Sequence, residues 1–415
     1  MPRRQGYALL IALLAGTAVL AAATVFGTSL LSASRAPAPR PPAETHAAAP
    51  NPVAPAHIGG NWVATWTTAP VGPEPGTDNG FPGSTIRNVV HTSVGGDAAR
   101  ITLSNLFGTT PLLVDRATVN TRPVTFDGAA SVTIAPGGQT VSDPVVVPVS
   151  ADSDLEVAFR TPRPGGPVTF HPNSHQTSFL ADRRATWSTT KWRYLTAVDV
   201  RNEDVPGTVV VIGDSLTAGS GSTTDANSRW PDVLSDRLGE RYAVANAGIA
   251  GNRLLTQGFA GQPGMVRFER DVLSVAGVRT VIVALGINDI LQKPHEPDAG
   301  RIVAGLRSLA DQARARDLPV VGATLTPFRG YHTWTPEREA VRLAVNEQIR
   351  SGTVFDTYVD FDEVVRDPSA PNRLRAAYDS GDHVHFNDAG YRALGERVDL
   401  ASLEPVRTSP DSDQL

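Results

Sequence analysis

"TVVVIGDSLTAGSG", Thr208–Gly221, runs from an unbroken apolar stretch into a turn rich in Gly and Ser. Val209–Ile212, four apolar β-branched residues in a row with no polar alternation, read as a strand buried on both faces, and such strands belong to parallel sheets. The turn after the strand can be a phosphate cradle, a seat for a reactive hydroxyl, or the start of a helix capped by Asp214 or Ser215. The phosphate reading fails, because a P-loop needs Gly-Lys-Ser or Gly-Lys-Thr and the chain contains neither. Gly219-Ser220-Gly221-Ser222-Thr223-Thr224 lacks the last glycine of a dinucleotide fingerprint and lies too far beyond the strand. The G-x-S-x-G elbow of α/β-hydrolases occurs nowhere either.

The residues downstream repeat this grammar. After Val205-Pro206-Gly207, apolar runs at Val209–Ile212, Ala243–Ala245, Val281–Ala284 and Val320–Ala323 read as buried strands, and Tyr358–Phe361 as a fifth. Trp230–Leu238, Ile302–Ala315 and Pro336–Ile349 carry apolar residues at helical spacing. Alternation of this kind predicts a parallel sheet with helices on both faces, whose ligands bind beyond the carboxyl ends of the strands. Polar turns fall at those ends: Gly213-Asp214-Ser215-Leu216, Asn246-Ala247-Gly248-Ile249-Ala250-Gly251-Asn252 and Gly286-Ile287-Asn288-Asp289. Beyond the last strand, Asp379-Ser380-Gly381-Asp382-His383-Val384-His385-Phe386-Asn387 supplies carboxylate and imidazole together before a terminal helix.

Upstream the pattern differs. From Asn61 to Val200, short alternating runs such as Arg100–Ser104 and Leu155–Phe159 are set off by turns at Gly95-Gly96-Asp97 and Gly137-Gly138. This is strand grammar and predicts a β-sandwich or jelly roll. Trp62, Trp66, Trp187 and Trp192 could form a sugar-stacking platform, although buried Trp more often simply packs. His171 and His175 lie in a Pro-rich turn and read as solvated.

With 415 residues the chain exceeds what a single core usually serves. The organisation read from it is a targeting segment at 1–34, a Pro/Ala-rich linker at 35–57, a β-sandwich domain at 58–204, a catalytic domain at 205–407 and a disordered tail at 408–415. Arg3 and Arg4 ahead of the uncharged run Ala8–Leu31 mark a signal peptide or a membrane anchor, so the folded part is expected outside the cytoplasm, in contact with a membrane only through that anchor. A net charge of −5 argues against a nucleic-acid partner. The absence of cysteine excludes thiol nucleophiles, disulfides and Cys-based zinc sites.

Together the strand-end turns resemble the blocks of the SGNH hydrolases, also called GDSL esterases and lipases, and the match runs through the whole second half. The resemblance implies the flavodoxin-like three-layer α/β fold of that family, with Ser215 as nucleophile, Ser215, Gly251 and Asn288 as the oxyanion hole, and Asp382 and His385 as the remaining triad members. "NWVATWTTAP", "RITLSNLFGT", "RWPDVLSDRL", "NAGIAGNRLL" and "RFERDVL" are similar to a secreted, two-domain branch linked to polysaccharide breakdown. In that branch the D-x-x-H block is usually followed by Pro. Here Phe386 occupies that position, a change beside the site that bears on the acyl pocket.

The chemistry can also be argued from the residues. A serine hydroxyl is a weak nucleophile, so a base must take its proton during attack, and His385 is the candidate, with Asp382 fixing its tautomer. Attack on an ester turns the carbonyl oxygen into an oxyanion that needs preorganised donors, each worth about 3 kcal/mol. The backbone N–H groups of Ser215 and Gly251 and the amide of Asn288 can supply them, whereas Asp214 reads as structural. His383 and His385, two apart, could instead face a metal. No His-Glu-x-x-His frame supports that, and neither metal nor cofactor is expected. The expected function is hydrolysis of short acyl esters, acetyl above all, on a polysaccharide or a small molecule through an acyl-enzyme. The alternatives are a lipid or lysophospholipid esterase with the same triad, and a glycan-binding surface protein whose hydrolase half is vestigial.

Overall fold

A computed structural model describes residues 60–404. The expectations for residues 1–34, 35–57 and 408–415 fall outside the described residues. In the first half the alternating runs form β1 (Trp62–Thr67), β2 (Ser84–Thr92), β3 (Gly96–Ser104), β4 (Leu112–Val119), β5 (Ser153–Thr161) and β6 (Leu195–Arg201). One antiparallel sheet carries the order β1–β6–β3, extended by short strands at Gln139–Val141 and Val145–Val149. The other carries β2–β5–β4 at its centre. Along β5 the side chains of Leu155, Val157 and Phe159 point inward while Glu156 reaches out to pair with Arg87 on β2. Residues of both sheets, among them Ile86, Val157, Ile101 and Val198, fill one core, so the period-2 pattern has produced a sandwich.

For the tryptophans of this half the packing alternative holds, and for one histidine the expectation needs correction. Trp62, Trp66 and Trp192 are buried, the last two meeting edge to face with centroids 4.8 Å apart, and of the four only Trp187 is exposed, so no stacking platform forms. His171 is not solvated: it ends the strand Thr169–His171, is 4% exposed, and its Nδ1 lies 2.8 Å from the Ala69 carbonyl oxygen. Pairing of that strand with Trp192–Arg193 draws the imidazole inward, and burial pushes its pKa down to about 4. His175 is partly buried.

The second half forms β7 (Thr208–Gly213), β8 (Ala243–Gly248), β9 (Val278–Ala284), β10 (Val320–Ala323) and β11 (Thr357–Val359), all parallel, in the order β8–β7–β9–β10–β11. This is the flavodoxin-like strand order. The helices are α1 (Ser215–Ala218), α2 (Trp230–Leu238), α3 (Gly264–Phe268), which runs on into a π turn at Glu269–Leu273, α4 (Ile287–Leu291), α5 (Ala299–Arg314), α6 (Pro336–Arg350), α7 (Phe361–Val365) and α8 (Asp388–Arg397). Val210, Ile212, Val281 and Val283 pack one face of the sheet onto Ile302 and Leu306 of α5 and Val345 and Ile349 of α6. Val209, Val211 and Ile282 pack the other face onto Trp230 and Leu234 of α2 and Tyr391 and Leu394 of α8. β11 stops at Val359 rather than reaching Phe361, because the Asp360 carboxylate accepts the Glu363 N–H and caps α7.

β8 is an edge strand of this sheet, and the sandwich covers it. The Val244 N–H donates to the Ser93 hydroxyl (3.0 Å) and the Thr67 hydroxyl to the Asn246 carbonyl (3.4 Å), while the Ala64 N–H is shared between the Ala276 carbonyl and the Thr208 hydroxyl. All the described residues lie within one compact unit.

Candidate active site

The first turn seats Ser215 at the start of α1, where Asp214 Oδ1 accepts the Leu216 N–H at 3.0 Å. Asp214 therefore caps the helix and is fully buried beneath it, as its reading as structural requires. Burial pushes its pKa up to about 7, with repulsion from Asp289 adding to the effect. The second turn is held on the first by the Ile249 N–H donating to the Gly213 carbonyl (3.1 Å) and by Asn246 Nδ2 donating to the Thr217 carbonyl (2.9 Å).

The C-terminal loop brings an imidazole and a carboxylate into line with Ser215. His385 Nε2 lies 2.8 Å from Ser215 Oγ, and His385 Nδ1 lies 2.5 Å from Asp382 Oδ2. The other carboxylate oxygen, Oδ1, accepts the backbone N–H groups of Val384 (3.0 Å) and His385 (2.9 Å). Burial alone would raise the Asp382 pKa. The bonds from the His385 N–H, the His385 ring and the Val384 N–H outweigh it and hold the carboxyl below its usual range. His383 turns to a different carboxylate, with Nδ1 2.6 Å from Asp379 Oδ2, so the two imidazoles have separate acidic partners and do not converge. Phe386 faces the core rather than solvent. Its ring is fully buried against Tyr391, centroids 5.5 Å apart, and the Tyr391 hydroxyl donates to the Ser220 carbonyl at 2.7 Å, so the substitution anchors the loop to the core.

Gly251 has φ +76°, and a Cβ there would fall 3.0 Å from the Phe259 ring, two reasons for glycine that are independent of substrate. Asn288, in the first turn of α4, is 7% exposed; its Oδ1 accepts from Gln292 Nε2 at 3.0 Å, and its Nδ2 has no hydrogen-bond partner among the described residues. A buried amide donor left without an acceptor is costly unless something transient uses it. Asp289, beside it, accepts the Leu254 N–H (2.7 Å) and the Leu255 N–H (3.0 Å) and so fastens the second turn to the third. Burial raises the Asp289 pKa despite these bonds.

Two supporting residues escaped the reading of the sequence. Arg267 is completely buried and donates to the carbonyls of Gly213 (2.9 Å) and Ala247 (2.7 Å) and to Asn252 Oδ1 (3.0 Å), with Asp271 Oδ2 at 3.3 Å. It ties the ends of β7 and β8 together, and burial lowers its pKa to about 10. The Arg267/Asp271 pair at i,i+4 was the only local signal. The other is Gln292, whose amide lies between the second and third turns.

A hydroxyl, an imidazole and a carboxylate in line at the carboxyl edge of a parallel sheet, with a buried amide donor nearby, define a hydrolase. Residues 211–393 match the model of the GDSL-like lipase/acylhydrolase family. Among solved structures, the chain is similar to a lipolytic protein of the G-D-S-L family from Desulfitobacterium hafniense (22% identity, 47% of this chain and 97% of that one, TM-score 0.38). It is also similar to the aryl esterase of M. smegmatis (19% identity, 46% of this chain and 94% of that one, TM-score 0.38). A third is Est24, a carbohydrate acetylesterase from Sinorhizobium meliloti (17% identity, 46% of this chain and 94% of that one, TM-score 0.37). No curated protein matches the chain.

Proposed function

We propose that the protein is an extracytoplasmic serine esterase that removes short acyl groups, acetyl above all, from carbohydrate through an acyl-enzyme. The observation that carries the chemistry is the line from Asp382 through His385 to Ser215, at 2.5 and 2.8 Å, with the unpartnered Nδ2 of Asn288 in the turn after the neighbouring strand β9. Ser215 Oγ adds to the ester carbonyl carbon while its proton passes to His385 Nε2, and the carbonyl oxygen takes the negative charge. The Asn288 amide and the backbone N–H groups of Ser215 and Gly251 receive that charge. The intermediate collapses as the alcohol leaves with the proton from His385. Water then attacks the acyl-serine with the same base, the acid departs, and the serine hydroxyl is restored.

Export rests on the basic and apolar N-terminal sequence, and the carbohydrate substrate on the resemblance of both halves to the two-domain branch. A second reading, longer-chain lipid esters, is favoured by exposed apolar side chains around the second turn: Phe259, 82% exposed and against Gly251, with Val266 and Met265 on α3. One assay series tests both. The full chain should hydrolyse p-nitrophenyl acetate and acetylated xylan faster than long-chain esters, and Ser215→Ala should abolish turnover with an unchanged circular dichroism spectrum. Turnover retained by S215A would remove Ser215 from the mechanism, and preference for long acyl chains would favour the lipid reading.

A further inference from the structure

The amide of Asn288 can serve an oxyanion only if its NH2 group, not its oxygen, faces the substrate, and nothing within Asn288 itself decides which way it is turned. The network around Gln292 decides it. Gln292 Nε2 lies 2.6 Å from the Gly251 carbonyl oxygen and 3.0 Å from Asn288 Oδ1. A backbone carbonyl only accepts, so Gln292 must present its NH2 group there, and its second proton is then directed at Asn288. That contact requires Asn288 to present Oδ1, which leaves Nδ2 as the buried donor without a partner. The polarity of the chain Gly251–Gln292–Asn288 is thus set from its carbonyl end.

Gln292 is itself placed by helix geometry. It follows α4 as the capping residue, and its backbone N–H donates to the Asn288 carbonyl at 3.1 Å, so the side chains one helical turn apart stack on the same face. From there it reaches across to the second turn and bonds the residue whose N–H is the other oxyanion donor beyond Ser215. One side chain therefore fixes both the orientation of the Asn288 amide and the placement of Gly251.

We propose that Gln292 is the positioning residue of the oxyanion hole: it touches no reacting atom and acts by holding Asn288 and Gly251 in the arrangement that receives the developing charge. This rests on the reading of Ser215 and Asn288 given above, and the test separates the two. Gln292→Met keeps the length of the side chain and removes both donors. In the full-length protein, kcat on p-nitrophenyl acetate should fall about 10- to 100-fold, less than the loss of a whole oxyanion donor, while KM stays within about twofold because the neutral ester makes little use of these donors. A boronic acid provides the second readout. Ser215 Oγ adds to boron, its proton passes to His385, and the adduct is a tetrahedral anion, so its affinity should fall by about the same factor as kcat.

The third readout is a double-mutant cycle. In an Asn288→Ala background, Q292M should cost several-fold less than in the wild type, because the amide it orients is gone. An equal cost in both backgrounds would overturn the proposal. So would a kcat within about twofold of wild type, or a loss of kcat and KM together with a collapsed melting temperature, which would assign Gln292 to folding alone. Failure of the underlying reading looks different: wild-type protein that neither turns over the ester nor binds the boronic acid.

Discussion

Asp214 adjoins Ser215 in sequence but does its work below it, as a buried cap whose carboxyl prefers to hold a proton. Its folded pKa is raised from 3.8 to about 7, by burial first and by Asp289 in addition, against the Leu216 N–H and Arg267. A raised folded pKa means the native state binds the proton more tightly than the unfolded chain. The associated stability is fully present below about pH 4 and is lost as the pH climbs through 7. His171 acts in the opposite sense: its pKa is lowered from 6.5 to about 4, so its contribution is intact above pH 6.5 and is lost as the pH falls toward 4. The two oppose each other over the same window, and melts of the wild type alone would hide both. Asp214→Asn keeps the oxygen that caps Leu216 and removes the charge. Its stability relative to wild type should therefore grow by about 2.5 kcal/mol between about pH 5 and about pH 8, read from urea unfolding at the two pH values. An advantage that is the same at both would mean that Asp214 does not titrate in the folded protein.

The site depends on turns from three different strands keeping their register, and beside the backbone bond from Ile249 to Gly213 it is side chains that hold them. Arg267 joins β7 to β8, Asp289 joins the β9 turn to Leu254 and Leu255, and Gln292 closes the set. Arg267→Met should destabilise the protein by about 3–5 kcal/mol, since it leaves two carbonyls, Asn252 and Asp271 short of a buried donor. Denaturant unfolding measures this, and a midpoint equal to wild type would show that the turns hold without it. These links also explain what could be read in advance. The strands of the sheet were legible because each is a continuous apolar run closed by a polar glycine turn, and Ser215, Asp382 and His385 because short motifs carry them. Arg267 was not, because its acceptor Gly213 lies 54 residues away and only the folded sheet brings the two together. His171 was misread for the same reason: a Pro-rich neighbourhood suggests a loop, while its burial is decided by pairing with the strand at Trp192–Arg193. Gln292 gave no local sign, as its meaning lies in the Gly251 carbonyl on the second turn.

The sandwich and the parallel sheet share more than a peptide link. Ser93 and Thr67 satisfy backbone groups on the outer edge of β8, Ala64 of β1 sits in the same core as Val210 and Ile212, and Arg229 at the head of α2 donates to the Ser174 carbonyl at 3.2 Å. The loop leading out from α1 is held as well: Asp225 accepts the Thr177 N–H and hydroxyl at 2.5 and 2.6 Å, and the Asp225 N–H donates to the His175 carbonyl at 3.0 Å. Removing the sandwich would leave β8 as an uncovered, mostly apolar edge strand, the feature that invites strand-to-strand aggregation. It would also release the loop beyond Ser215, so that the turn carrying Ser215 keeps its cap but loses its outer support. Residues 205–404 produced alone should therefore be largely aggregated or bind a hydrophobic dye, and any soluble fraction should turn over p-nitrophenyl acetate at least about tenfold more slowly than the full chain. Size-exclusion chromatography, dye fluorescence and the ester assay read the three parts of this expectation. A monomeric segment with full turnover would mean that the sandwich is an appended module, its contacts with β8 and Asp225 incidental to the chemistry. Intact folding with slowed turnover would place its role at the loop after α1 rather than at the sheet edge.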